Sequence, residues 1–134
     1  MAKIERFEDL GIWKKAVAVG VFVYELADKD SLSKDYKSRG QFIDAATSIS
    51  NNIAEGFEYN SNRSFINFLR YAKGSAGEVR SQAYVLVLSG RITEDDYQKL
   101  YGMLTDLSKE IKGFMEYLKS FEQKRANSDT RKSK

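Results

Sequence analysis

From Tyr97 onward, apolar side chains return at Leu100, Leu104, Leu107, Ile111, Phe114, Leu118 and Phe121, in steps that alternate three and four. That spacing keeps one face of an α-helix apolar, and its 3.5-residue mean is that of a coiled-coil seam. Thr93 followed by Glu94, Asp95 and Asp96 predicts where the helix begins: a hydroxyl caps the free amides, and acids sit where the helix dipole favours negative charge. Upstream, Phe65, Phe68, Leu69, Ala72, Ala76, Val79, Ala83 and Leu86 predict another helix, capped by Ser61 and ending near Ser89. Phe42, Ala46, Ile49 and Ile53 form the stripe of a helix that runs to about Glu55, with Ser31, Ser33 or Asp35 supplying the turn or cap before it. The earliest segment, roughly Asp9 to Ala27, repeats Ile12, Trp13, Ala16, Val17, Val19, Val23 and Leu26 near helical spacing. Its β-branched run Val17-Ala18-Val19-Gly20-Val21 suits a strand by propensity, but length and the three helical neighbours favour helix.

The stretch SISNNIAEGFEYNS, residues 48–61, interrupts this regularity. Gly56 directly after Glu55 predicts a left-handed residue closing the helix, and the chain reverses from there to Ser61. Gly40 reads as a close helix crossing or a late helix start. Gly74-Ser75-Ala76-Gly77 thins the next apolar face and predicts a close approach by a neighbouring backbone. Short connections near 56–61 and 90–93 favour antiparallel neighbours. The expected fold is all-α: an antiparallel up-down four-helix bundle over residues 1–121, followed by a basic, disordered tail at 122–134. Val21, Phe22 and Tyr24 add apolar surface around the first helix beyond one stripe, which is either a broader core or, as favoured here, an oligomer interface that assembles the chain into a cyclic homo-oligomer.

Composition narrows the chemistry. The 134 residues include no cysteine and no histidine, which removes disulfides, thiol catalysis, imidazole bases and the usual zinc constellations. Hard-cation binding through oxygen ligands stays open, although no calcium-loop spacing appears; the expectation is neither metal nor cofactor. The start MAKIERFEDL carries charges where a secretory signal needs an apolar core, and no run approaches the roughly 18 apolar residues of a membrane span; the expected compartment is the cytoplasm. Asn62-Arg63-Ser64 matches a glycosylation acceptor by accident in that setting. The net charge of +3 is unevenly placed. Residues 124–134 hold Lys124, Arg125, Arg131, Lys132 and Lys134 against Asp129, so the preceding 123 residues carry 17 basic and 18 acidic side chains.

Phe7, Leu10, Trp13 and Ala16, then Gln41, Ala45, Ser48-Ile49, Asn52-Ile53-Ala54-Glu55-Gly56-Phe57, Phe65, Phe68-Leu69, Ala72, Gly74-Ser75 and Glu78 resemble the proteins encoded in 23S rRNA intervening sequences, also called the S23 ribosomal protein family. The resemblance covers about residues 7–118. It implies an up-down helical bundle assembling as a homopentamer, with no assigned molecular function. It also implies a relation to the accessory proteins of diversity-generating retroelements, basic pentameric barrels that associate with nucleic acid and reverse transcriptase. Ile43 and Asp44 depart from that basic pattern, where relatives carry arginines.

Asn52, Glu55, Gly56, Gly74, Ser75 and Glu78 make up the candidate polar motif. An antiparallel hairpin pivoting near position 58 or 59 sets Asn52 level with Phe65 and Ser75 level with residues 39–43, which predicts two separate sites, each structural rather than catalytic. Glu78 has Arg39, Arg80 or Lys73 as candidate partners. Arg63, Arg70, Lys73 and Arg80 recur at spacings of seven, three and seven, and with Lys124, Arg125, Arg131, Lys132 and Lys134 they are the candidate contacts to RNA or DNA phosphates. The leading expectation is a noncatalytic homo-oligomeric scaffold that binds an RNA, DNA or protein partner and no membrane. A salt-sensitive nucleic-acid-binding module is the alternative, and a metal-dependent nuclease using Glu55 or Glu78 is a remote third.

Overall fold

The computed structural model describes residues 4–133, with residue 30 and residues 129–133 in backbone only. A 3-10 turn at Phe7–Asp9 leads into α1 (Gly11–Ala27), a short α2 (Asp30–Lys34), α3 (Tyr36–Glu58), α4 (Asn62–Leu88) and α5 (Glu94–Ser133). The four long helices pack in ring order: α1 against α3, α3 against α4, α4 against α5 and α5 against α1, while neither diagonal pair touches among the described residues. Consecutive long helices run in opposite directions. Lys15 meets Asp106, Phe22 meets Lys99 and Lys29 meets Asp96 across α1 and α5, so positions rise on one helix as they fall on the other.

Burial follows the apolar stripes. Ala16, Val19, Val23 and Leu26 of α1, Phe42, Ala46, Ile49 and Ile53 of α3, and Leu69, Ala72, Ala76 and Val79 of α4 are at most 1% exposed. Every β-branched residue of residues 17–21 is helical, because a stripe with a partner on two sides outweighs single-residue propensity. In α5 the two lines of the seam behave differently. Leu104, Ile111 and Leu118 stay buried, whereas the other line grades from buried Leu100 and Leu107 through half-buried Phe114 to exposed Phe121. A straight helix advances 3.6 residues per turn, so a seven-residue repeat drifts by about 20° per heptad, and Met115 is buried as Phe121 rotates outward.

Helix ends correct the sequence reading at one point and support it at three. Asp35 caps α3 by accepting from the Ser38 amide at 3.2 Å, Ser61 caps α4 by accepting from the Ser64 amide at 3.3 Å, and Thr93 Oγ1 accepts from the Asp96 amide at 3.1 Å. Gly56 does not end a helix: α3 continues through it to Glu58. The left-handed residue is Asn60, with φ 55°, whose amide donates to the Phe57 carbonyl at 3.2 Å. Asparagine is the usual substitute for glycine at that position because its short polar side chain tolerates the conformation. Gly90, at φ 76°, plays the matching role after α4: its amide reaches Val87 O and that of Arg91 reaches Leu86 O, a Schellman closure.

Gly56 serves a different purpose. It is buried, and a Cβ there would lie 2.6 Å from Phe68 Cβ and 3.0 Å from Phe65 Cδ1, so it marks a close approach of α3 to α4. Gly40, Gly74 and Gly77 have nothing within 4 Å of a Cβ position, so within the chain they mark neither a crossing nor a helix start. Residues 122–133, expected to be disordered, continue α5. A turn added to an existing helix needs no new nucleus, and Arg125 pairs with Glu122 one turn away.

Candidate functional site

Extending α3 by a turn past Glu55 moves the pivot of the α3–α4 hairpin toward Ser61, and this resets which residues are level. Gly56 faces Phe68, and Gln82 Nε2 donates to Gln41 O at 3.5 Å. Midway between, the hydroxyls of Ser48 and Ser75 are 3.0 Å apart. Asn52 Nδ2 donates both to Ser48 O at 2.8 Å and to Ser48 Oγ at 3.0 Å. Asn52 and Ser75, expected at separate sites, therefore belong to one half-buried cluster with Ser48 at its centre. The sequence does contain the signal: Ser48 and Asn52 are four apart, so they share a helix face.

Glu55 and Glu78 are exposed and outside this cluster. In the hairpin register Glu78 lies level with about residue 45, ten residues from Glu55, or roughly 15 Å along the helix at about 1.5 Å per residue. Arg39, one candidate partner of Glu78, pairs instead with Asp28 at 2.8 Å, and Glu78 is in none of the ion pairs among the described residues. Two hydroxyls and an amide neither titrate near neutral pH nor supply charge to a reaction. What they do is satisfy one another between two helices, so that small side chains there carry no unpaired polar group into the interface. Among the described residues no group of three or more His, Cys, Asp or Glu side chains is placed to hold a metal ion.

The basic candidates on α4, Arg63, Arg70, Lys73 and Arg80, are all exposed. Arg70 donates to Asn67 Oδ1 at 3.3 Å, and the other three take part in none of the ion pairs among the described residues. Of the tail candidates, Lys124 lies 6.0 Å from the Phe121 ring and Arg125 is exposed. The side chains of Arg131 and Lys132, and the whole of Lys134, lie outside the described residues. Of the two departures from the basic-barrel pattern, Ile43 is buried in the core and Asp44 is exposed. Trp13 is half-buried and packs edge-on against Phe7 at 5.3 Å, so it belongs to the core margin.

Two charged groups make polar contacts between elements. Lys15 bridges α1 to Asp106, at 2.9 Å, and to Glu110 on α5. Hydrogen bonds to Glu110 and Asp106 raise its pKa above the ordinary lysine value. Hydrogen bonds from Ser38 and the nearby Arg91 guanidinium hold the Asp35 carboxyl below its ordinary value. No helix among the described residues is long and apolar enough to cross a membrane.

The family model for the 23S rRNA-intervening sequence protein matches residues 8–113, most of the chain and all four long helices in whole or in part. The chain belongs to that family. A solved structure, of a protein with unknown function from the S23 ribosomal protein family of Bacteroides thetaiotaomicron, shares 23% identity over 78% of this chain and 97% of that one, with a TM-score of 0.71. At that identity the likeness shows the shared fold. No curated protein matches. Ser48, Asn52, Gly56 and Ser75 lie within the matched residues, and each has a packing role in the α3–α4 hairpin.

Proposed function

We propose that this 23S rRNA-intervening sequence family member is a noncatalytic scaffold: a four-helix-bundle protomer that assembles with copies of itself into a closed ring and presents the ring to a partner. The observation that carries the reading is apolar surface left open on diagonally opposite helices. On α1, Val21 is 54% and Tyr24 47% exposed; on α4, Val85 is 62% and Leu88 71% exposed. Exposed Gly74 and Ser81 lie along the same α4 face with exposed Glu78 between them, and exposed Ala18 lies on the α1 face, so small side chains flank both surfaces. Contiguous apolar surface of this kind marks an interaction site.

Because α1 and α4 do not touch within the chain, one copy's α1 face can meet another's α4 face. Such a head-to-tail contact gives a ring when the rotation between copies closes. Five copies is the number that family resemblance supports. The noncatalytic part of the reading is supported by the neutral Ser48–Asn52–Ser75 cluster and by the separation of Glu55 from Glu78. Substituting Val21→Lys or Val85→Lys tests the contact: either variant is expected to shift sedimentation to the protomer while leaving helical circular dichroism unchanged. If both variants sediment like the parent, these faces do not form the contact.

A further inference from the structure

We propose that the groove between α4 and α5 binds single-stranded nucleic acid, with tyrosines stacking on unpaired bases and cations of both helices holding the phosphates. Ser81 and Val85 of the α4 face proposed for the ring contact also line this groove, so binding is read both on the parent and on the Val21→Lys protomer. The groove is shallow and open, about 390 Å³, and is lined by Arg80, Tyr84, Tyr97 and Tyr101 together with Gly77, Ser81 and Val85, with no acid among them. The tyrosine rings form a ladder: Tyr84 to Tyr97 is 6.2 Å and Tyr97 to Tyr101 is 6.0 Å between centroids. Tyr84 and Tyr101 are 54% and 42% exposed. Tyrosines that pack on one another yet keep faces open to solvent offer a platform to any base, and stacking of this kind is tolerant of sequence.

Charge continues the platform. The Tyr84–Tyr97 contact sets the antiparallel register of α4 and α5, so Arg80 lies level with Tyr101, Lys73 with about residue 108 and Arg70 with about residue 111. Lys112, on the same flank of α5 as Tyr101 by helical spacing, then faces the Arg70 and Lys73 stretch, and it is exposed. On other faces Lys15 pairs with Asp106 and Glu110, Lys29 with Asp96, Arg39 with Asp28 and Arg91 with Asp35, while Lys14 and Lys37 are exposed and in none of the ion pairs among the described residues. Lys73, Arg80 and Lys112 take part in none of the ion pairs among the described residues. Within the near-neutral balance of residues 1–123, Lys73, Arg80 and Lys112 thus stand as unpaired positive charge along α4–α5. Ring faces can stack on unpaired bases but not on bases already stacked inside a duplex, so a tyrosine platform suits an extended single strand.

The test uses the full chain and fluorescence anisotropy with labelled oligo-uridine, oligo-thymidine, a mixed-sequence duplex and polyglutamate, across a salt series. The single strands are expected to bind at low salt and to weaken as salt rises; the RNA and DNA arms decide which of the two is preferred. Tyr84→Ala with Tyr101→Ala is expected to weaken single-strand binding by about tenfold or more with little change in salt slope, whereas Tyr84→Phe with Tyr101→Phe keeps it. Lys73→Ala with Arg80→Ala is expected to flatten the slope of log affinity against log salt by up to about 0.7 per lost phosphate contact on single strands. Lys14→Ala, an exposed cation on α1, is the control and should leave binding in place. Light scattering and urea midpoints on the same variants separate a lost site from lost assembly or lost folding. The proposal is overturned by no single-strand binding at low salt, by equal loss in Lys14→Ala, by tyrosine variants that bind like the parent, or by a preference for the duplex or polyglutamate.

Discussion

A single missing methyl group decides how near α3 comes to α4. At Gly56 an added Cβ would overlap Phe68 Cβ, an atom fixed to the backbone of the facing helix, so relief requires the two helices to part. Gly56→Ala is expected to lose up to about 2 kcal/mol in urea denaturation, since overpacking costs about 1–3 kcal/mol and the gain in helix propensity returns about 1 kcal/mol. Gly74→Ala, with open space at its Cβ position, is expected to raise the urea midpoint by the same measurement. The contrast shows what could be read in advance. A glycine after a run of helix formers suggested a helix end, and only the packing of Phe65 and Phe68 shows that this glycine lies inside a helix and that Asn60 carries the turn. Identity at one position does not distinguish conformational freedom from lack of a side chain; the neighbour across the interface does.

At the scale of the element, periodicity gave the helices and the caps fixed their starts. Thr93 and Ser61 act as their spacing suggests, and Asp35 is the cap among the three candidates before α3. Register is harder to read, because a hairpin pivot misplaced by three residues shifts every facing pair by six, which is why Ser75 was expected beside residues 39–43 instead of Ser48. Short α2 and the 3-10 turn carry too few residues to show a period, although Leu32 of α2 is fully buried. Asp35 links a cap to pH. Its carboxyl is held below the ordinary 3.8 in the folded chain, so its stabilising effect is complete above that pH and disappears as pH falls through the lower folded value. Asp35→Ala is expected to lower the urea midpoint at neutral pH and to show a shallower acid loss than the parent between about pH 5 and 2. For Lys15 the direction reverses: its folded pKa lies above 10.5, so its contribution is full at neutral pH and lost as alkaline pH passes the raised value. Removal of residues 122–134 is expected to leave the neutral-pH midpoint unchanged, since the side chains described there are nearly all exposed.

For the whole molecule, the ring order of four long helices leaves two kinds of unused surface: apolar ridges on α1 and α4, and a cationic, tyrosine-lined groove between α4 and α5. Neither was fully legible in sequence. Val21 and Tyr24 were recognisable as excess apolar residues, but Phe22 beside them is buried under Lys99, whose ammonium sits 4.5 Å from its ring. The basic spacing of α4 was recognisable, whereas its alignment with Lys112 and the tyrosines of α5 depends on which helices are neighbours. Charge counted along the chain averages over faces that the fold separates. The most direct test of the scaffold account is static light scattering on the purified chain at micromolar concentration. The account predicts a stable species at a multiple of the 15.3 kDa protomer mass; a stable monomer would contradict it.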